Sequence, residues 1–502
     1  MQVDEPALRA QAPDRKVGLT AAGEDELLSA LADAELTFLQ RTSVLDELDG
    51  PLCDAVLACT GSGRVLRAMS RSNVLVTPLD HADESYRYHP LLTGMLQAEL
   101  RRAEPACEAA LHRRASRWYA GAGDDDRAID HAIAAGDLEH AGALLWATAA
   151  ARVLDGRAVE VRRRLARFTP EQIASQPTLA LTAAAQHLVA GERDLVEHWA
   201  SAAARNLDGP GAESLEAGVQ TMRAAVGRGG VEAMRRDAAA AYDRTADESP
   251  WRSLCCLLRG VGAHLQGDGA GARLHLEEGA RRGAIAAPVV QALCLSQLAL
   301  VAIDAGDWEH AQLLAARARA QVERVGLDGH PTCAIVFAVS ALVRAHRDRV
   351  EDAQADRRRA IDLLTQLVDY IPWYDIEARV VLARAALRLG DVTGTRTLLA
   401  EASREFEPGD DAGVLRTWID ELWAQVEAFA VTELVGPSSL TTAELRILAL
   451  MPTHLSFREM GRRLHVSANT VKTHAHAVYR KLDVCSRSEA VVRARSTGLL
   501  DD

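Results

Sequence analysis

A glycine-aspartate turn that recurs at near-constant intervals constrains this chain more than any other feature. Gly136-Asp137 is followed by Ala141, Gly267-Asp268 by Ala272, Gly306-Asp307 by Ala311 and Gly390-Asp391 by Thr395, so a small residue stands five positions after each glycine. Asp348 with Ala353 keeps the frame without its glycine. The turns at 267, 306, 348 and 390 lie 39, 42 and 42 residues apart. Glycine ends a helix cheaply by adopting the left-handed conformation, and a small residue lets the next helix pack closely. Each unit is then a helical hairpin that cannot bury its apolar face alone, so the hairpins must stack. The pattern predicts an all-α solenoid over residues 112–430.

The repeat resembles the tetratricopeptide type, with slightly long units. Such a solenoid implies a concave groove for a peptide, a partner protein or a small effector; the alternative is a spacer that only positions the chain's ends. Trp251, Trp308, Trp373, Tyr370 and Tyr374 are candidates for lining that groove, although aromatics at helical spacing more often belong to a core. Aromatics make up only 4% of the chain, and the dominance of Ala, Leu and Arg favours helix throughout. The eight cysteines form no Cys-x-x-Cys pair and no zinc spacing with histidine, which predicts reduced thiols and no metal. No apolar run reaches membrane-spanning length and the start, Met-Gln-Val-Asp-Glu, lacks a signal pattern; the expectation is a cytoplasmic protein.

Charge is unevenly distributed. The chain carries −13 overall, but residues 440–502 hold ten Lys or Arg against six Asp or Glu, a net +4 that leaves −17 upstream. Only Lys16, Lys472 and Lys481 are lysines among 57 basic residues, and two of them fall on one helix near the C-terminus. A basic tail on an acidic body suggests that this end meets a polyanion.

Residues 440–502 read as four short helices. Thr441-Thr442-Ala443-Glu444 and Ser456-Phe457-Arg458-Glu459 both fit capping boxes. The first helix puts Leu445, Leu448 and Met451 on one face before Pro452, and the second buries Phe457, Met460 and Leu464. Ser467 is placed to cap the third, in which Val471, Ala475, Val478, Tyr479 and Leu482 form a packing stripe. The opposite face carries Lys472, Thr473, His476 and Arg480, groups that can reach base edges and phosphates. This succession closely resembles the helix-turn-helix domain of the LuxR-type transcription regulators. The resemblance implies base contact by Lys472, Thr473 and His476, and phosphate contact by Ser456, Thr470, Arg480, Lys481 and Arg487. It also implies pairing of two domains through Ala490, Val491 and Ala494 of the fourth helix. Asp483, Gly461 and Ala475 depart from the usual pattern, with a cost of roughly 1 kcal/mol for a mid-helix glycine.

Residues 34–111 differ from the repeat. Helical phrases around Leu39–Leu45 and Gly50–Val56 precede two candidate strands, Asn73–Thr77 and Tyr86–His89, and a helix from Pro90. This segment resembles the winged helix of the large ATP-dependent LuxR-type activators typified by the maltose regulator. In that group a nucleotide-binding module comes first, then the winged helix, the superhelix and the helix-turn-helix. No Gly-x-x-x-x-Gly-Lys-[Ser/Thr] is present; Thr60-Gly61-Ser62-Gly63-Arg64 lacks the lysine and spacing. The readings are a start placed too far downstream, a lost ATP switch, or a switch supplied by another polypeptide. His89 falls where related signalling ATPases place a phosphate-sensing histidine, but a structural role at a strand-to-helix junction is favoured.

The expected organisation is an extension over 1–33, a winged-helix-like domain over 34–111, the repeat over 112–430, a linker over 431–439 and the helix-turn-helix domain over 440–502. The expected function is sequence-specific DNA binding governed by an effector or partner on the repeats, with no enzymatic activity, nucleotide site or cofactor. The alternative is a scaffold or anti-activator that pairs with a full-length, ATPase-containing relative.

Overall fold

The computed structural model describes residues 33–72, 76–79, 84–208, 211–367, 370–406, 411–435 and, within 440–500, all but 454, 465, 467, 483, 497 and 498. Residues 1–32 of the expected extension, residues 436–439 of the expected linker, the first residues of the Asn73–Thr77 strand and the caps at Ser467 and Asp483 lie outside these, while residues 431–435 of that linker continue the helix Gly413–Val435. The chain divides into two compact units, residues 1–144 and 145–502.

In the first unit, helices Asp33–Thr42, Gly50–Leu57, Ser62–Ser72 and Pro90–Ala103 surround a small antiparallel sheet. Its strands are β1 (Leu48–Asp49), β2 (Val76–Pro78) and β3 (Ser85–Tyr88), in the order β1-β3-β2. Val76 pairs with Tyr88 and Pro78 with Tyr86. The two-residue strand β1, which pairs Leu48 with Tyr86, is too short to leave an alternating pattern in the sequence. Leu39, Leu45, Leu52, Val56, Leu66, Tyr86 and Leu96 form the core, and the Tyr88 hydroxyl shares a 2.6 Å hydrogen bond with Thr42 Oγ1. In the glycine loop at Gly61, two backbone amides are engaged within the fold: the Asp54 carboxylate accepts from Gly61 N at 3.1 Å and Ser62 N at 2.8 Å. His89 is exposed at the start of the helix from Pro90 and makes no side-chain cap.

The second unit contains the stacked hairpins. Gly267, Gly306 and Gly390 have φ of +86°, +78° and +77°. The aspartate after each caps the next helix, accepting from Gly271 N, His310 N and Gly394 N at 2.8–3.0 Å. The small residues Ala272, Ala311 and Thr395 are fully buried where consecutive helices touch. In the first unit, the turn at Gly136 has the same construction, with φ +66° and Ala141 buried.

The degenerate turn lacks both devices. Asp348 takes φ +56°, a conformation that costs an L-residue free energy, and Arg349 offers the next helix no side-chain cap. Replacing Asp348→Gly should therefore stabilise the protein by about 0.5–1 kcal/mol, read as a higher urea midpoint at unchanged slope. An unchanged or lower midpoint would mean that the aspartate has a compensating contact.

The expected open groove is not what the hairpins enclose. Every residue from Cys294 to Ile303 and from Thr332 to Val343 is buried, so the helices Pro288–Asp304 and Ala334–His346 have no solvent face over these stretches. Their sequences explain this: a helix apolar on all sides must be covered on all sides. Contacts between residues far apart in sequence close the inner side. Gln297 Nε2 donates to Glu377 Oε2 at 2.5 Å, and the Tyr374 hydroxyl donates to Thr332 O at 2.5 Å. Burial pushes the Glu377 carboxyl up to about 7. Trp251 and Tyr374 are core residues, Trp373 and Tyr370 are half-buried, and Trp308 stacks on His346 at 3.7 Å.

Candidate nucleic-acid interface

The four helices of the C-terminal domain are Thr442–Leu450, Phe457–Leu464, Ala468–Leu482 and Arg487–Ser496. Both capping boxes form. Thr441 N donates to Glu444 Oε2 at 2.6 Å, while Thr441 Oγ1 accepts from Glu444 N at 3.3 Å. Ser456 N donates to Glu459 Oε2 at 2.8 Å, and Ser456 Oγ accepts from Glu459 N at 3.3 Å. Ile447, Leu448, Met451, Met460, Val471, Ala475, Val478 and Leu482 make one core.

The third helix is buried along Val471, Ala475, Val478 and Leu482. Lys472, Thr473, His476 and Arg480 are exposed on its other side. His476 makes an edge contact with Tyr479, ring centroids 5.9 Å apart. Thr470 is half-buried and Ser456 is exposed, with the Ser456 hydroxyl also donating to Glu459 at 2.7 Å. Arg458, Arg462 and Arg463 on the second helix are exposed as well. They extend the cationic surface beyond the residues singled out by motif, and their signal was the basic content of that helix.

Two cations expected at phosphates are engaged inside the domain. Lys481 Nζ donates to Glu444 Oε2 at 2.6 Å, and the Glu444 carboxylate is almost fully buried. Burial pushes that carboxyl up, but hydrogen bonds from Lys481 and Thr441 outweigh it and hold the group below its ordinary value. Lys481 thus ties the third helix to the start of the first. Arg487 lies across the end of the first helix. Its Nε donates to Met451 O at 2.9 Å, Nη1 to Leu455 O at 2.7 Å and Nη2 to Leu450 O at 3.4 Å, with Thr453 O a fourth acceptor. A guanidinium there satisfies helix-terminal carbonyls that otherwise lack partners.

The pairing residues also need correction. Ala490 and Ala494 are wholly buried in the domain's own core, because the short fourth helix needs its small residues to approach its neighbours. Val491 is half-buried, and Val492, 68% exposed, is the apolar residue this helix presents to solvent.

Comparison with known proteins agrees with this geometry. Residues 24–108 match the MalT winged helix domain and residues 438–494 match the luxR family of bacterial regulatory proteins. An HTH-type transcriptional regulator MalT of Vibrio campbellii is 38% identical over 66 residues, 13% of this chain and 7% of that one. A putative HTH-type transcriptional regulator of Mycobacterium bovis is 29% identical over 230 residues, 41% of this chain and 24% of its own length. The serine/threonine-protein kinase PknK of Mycobacterium tuberculosis is 30% identical over 113 residues, 22% of this chain and 10% of the kinase. The chain thus spans a quarter or less of each of these relatives. None of the described helices is long and apolar enough to cross a membrane. The chain carries, near one end, a winged-helix domain of the MalT type and, at the other, a DNA-binding domain of the luxR family of bacterial regulatory proteins.

Proposed function

We propose that this chain is a sequence-specific, DNA-binding transcription regulator, with residues 440–502 as its DNA-binding domain and the repeat over 112–430 as its sensing part. The observation that carries this reading is the third helix of the luxR-family domain, apolar and buried on one side and polar and exposed on the other. In this reading the helix enters the major groove. Lys472, Thr473 and His476 meet base edges there, while Arg480 and the flanking arginines meet phosphates. Two domains pair across the face that presents Val492 and part of Val491. The −17 upstream body repels DNA, so affinity rests on a few phosphate contacts, and its fall with salt scales with their number.

The test is selection of duplexes from a random-sequence library by the full chain, followed by titration of variants. Lys472→Ala should cost about 10- to 100-fold on the selected site and much less on unrelated DNA. Arg480→Ala should weaken both alike and lower the salt slope by about one. If both variants bind as the parent chain does, the reading face is misassigned. If the parent selects no sequence at all, the protein is a scaffold rather than a DNA reader.

A further inference from the structure

The last helix of the repeat, Gly413–Val435, leads into the DNA-binding domain, which begins at Thr441 only a few residues later. Such a connection spans no more than about 20 Å even when fully extended. Whatever holds this helix therefore restricts where the DNA-binding domain can go.

Two contacts hold it. Leu415, Trp418, Ile419, Leu422 and Val426 are buried. The Trp418 ring sits edge-on to His264 at 5.6 Å, with the Arg384 guanidinium 4.9 Å from its centroid. Just ahead of the helix, Asp411 reaches a segment 180 residues earlier: Oδ1 accepts from Val231 N and Oδ2 from Glu232 N, both at 2.6 Å. These are orphan first-turn amides of the helix Gly230–Arg244, whose own cap residue, Gly229, supplies no side chain. The carboxylate is thus a helix cap delivered from the far end of the repeat, where the helix dipole favours a negative charge. Gly230 makes the approach feasible: its φ is +82°, and a Cβ there would lie 2.8 Å from Asp411 Oδ1.

We propose that Asp411 is a clasp, and that its bidentate hold on Val231 and Glu232 keeps the helix Gly413–Val435 docked in a state that binds DNA weakly. This rests on the DNA-binding reading above. The docked helix holds the tether short and so limits how two DNA-binding domains can pair on one duplex. Opening the clasp lengthens the effective tether by the length of the helix Gly413–Val435. Geometry, rather than any new contact, then raises the affinity.

The test uses the full chain, with Asp411→Asn, which weakens acceptance at one of the two amides, and Gly230→Ala, which crowds the carboxylate from the other side. Hydrogen exchange should rise about tenfold at Val231, Glu232 and the amides of Gly413–Val435 in both variants, with the DNA-binding domain still protected. Affinity for a duplex selected by the parent chain should rise about tenfold in parallel. Unchanged exchange in the helix Gly413–Val435 would overturn the clasp. Faster exchange with unchanged or weaker DNA binding would overturn its coupling to DNA. If the parent chain itself selects no duplex, the DNA-binding reading fails first, and the coupling fails with it.

Discussion

Arg487→Ala should destabilise the C-terminal domain by about 2–3 kcal/mol, a large loss for a domain of this size. The guanidinium donates to carbonyls of Leu450, Met451, Thr453 and Leu455, so it joins the start of the fourth helix to the turn between the first two. Truncation leaves those acceptors to water or to nothing, and removes a positive charge from a helix C-terminus where it is favourable. Arg487→Lys separates this role from phosphate binding. An ammonium keeps the charge that a phosphate needs but cannot fork to several carbonyls. We expect the lysine variant to lose most of the same stability, read as faster hydrogen exchange in Thr442–Leu450 within the full chain. A lysine variant as protected as the parent chain, but weaker on DNA, would return Arg487 to the phosphates.

The first unit should lose about 2 kcal/mol of stability between pH 7.5 and pH 5. His112 and His131 place their Nδ1 atoms 2.8 Å apart, and the His131 ring stacks on Tyr119 at 5.4 Å. Burial, then the neighbouring His131, pushes His112 down to about 4 from 6.5. Burial, then the Arg127 charge, does the same to His131. Because the folded-state values lie below the unfolded one, the unfolded chain binds protons first as pH falls. Stability is therefore unaffected above about pH 6.5 and declines from there towards pH 4. Full shifts on both rings would amount to ~4 kcal/mol by pH 5; partial exposure and their shared proton reduce that to about half. The measurement is hydrogen exchange in the helices Pro105–Gly121 and Asp125–Ala134 at both pH values, corrected for intrinsic rates. His131→Gln should flatten the dependence, and equal protection at both pH values in the parent chain would refute the assignment.

Local signals were legible in the sequence wherever one residue type satisfies one backbone need. The left-handed glycines at 267, 306 and 390, the aspartate caps that follow them, and the Thr441 and Ser456 capping boxes all stand where spacing predicted. The packing stripe of the third DNA-binding helix followed equally from its period, since a helix segregates apolar and polar residues by angle alone. The two-residue strand β1 was not legible, because its pairing with β3 depends on a partner almost forty residues away.

What the sequence determined by itself was where the helices and their caps stand and the face each helix buries. Those are decided by backbone hydrogen bonding within a few residues. Tertiary structure alone decided which charges are spent inside and which remain outside. Lys481 and Arg480 are adjacent and carry the same charge, yet the first pairs with buried Glu444 and the second is exposed. Arg487 reads as a phosphate ligand by motif and sits on carbonyls in the fold. The inner side of the repeat is closed because apolar residues ring its inner helices. Asp411 finds its partners 180 residues away. A cation or carboxylate takes the partner that folding brings within about 3 Å, and that distance is set by how helices pack rather than by how residues follow one another.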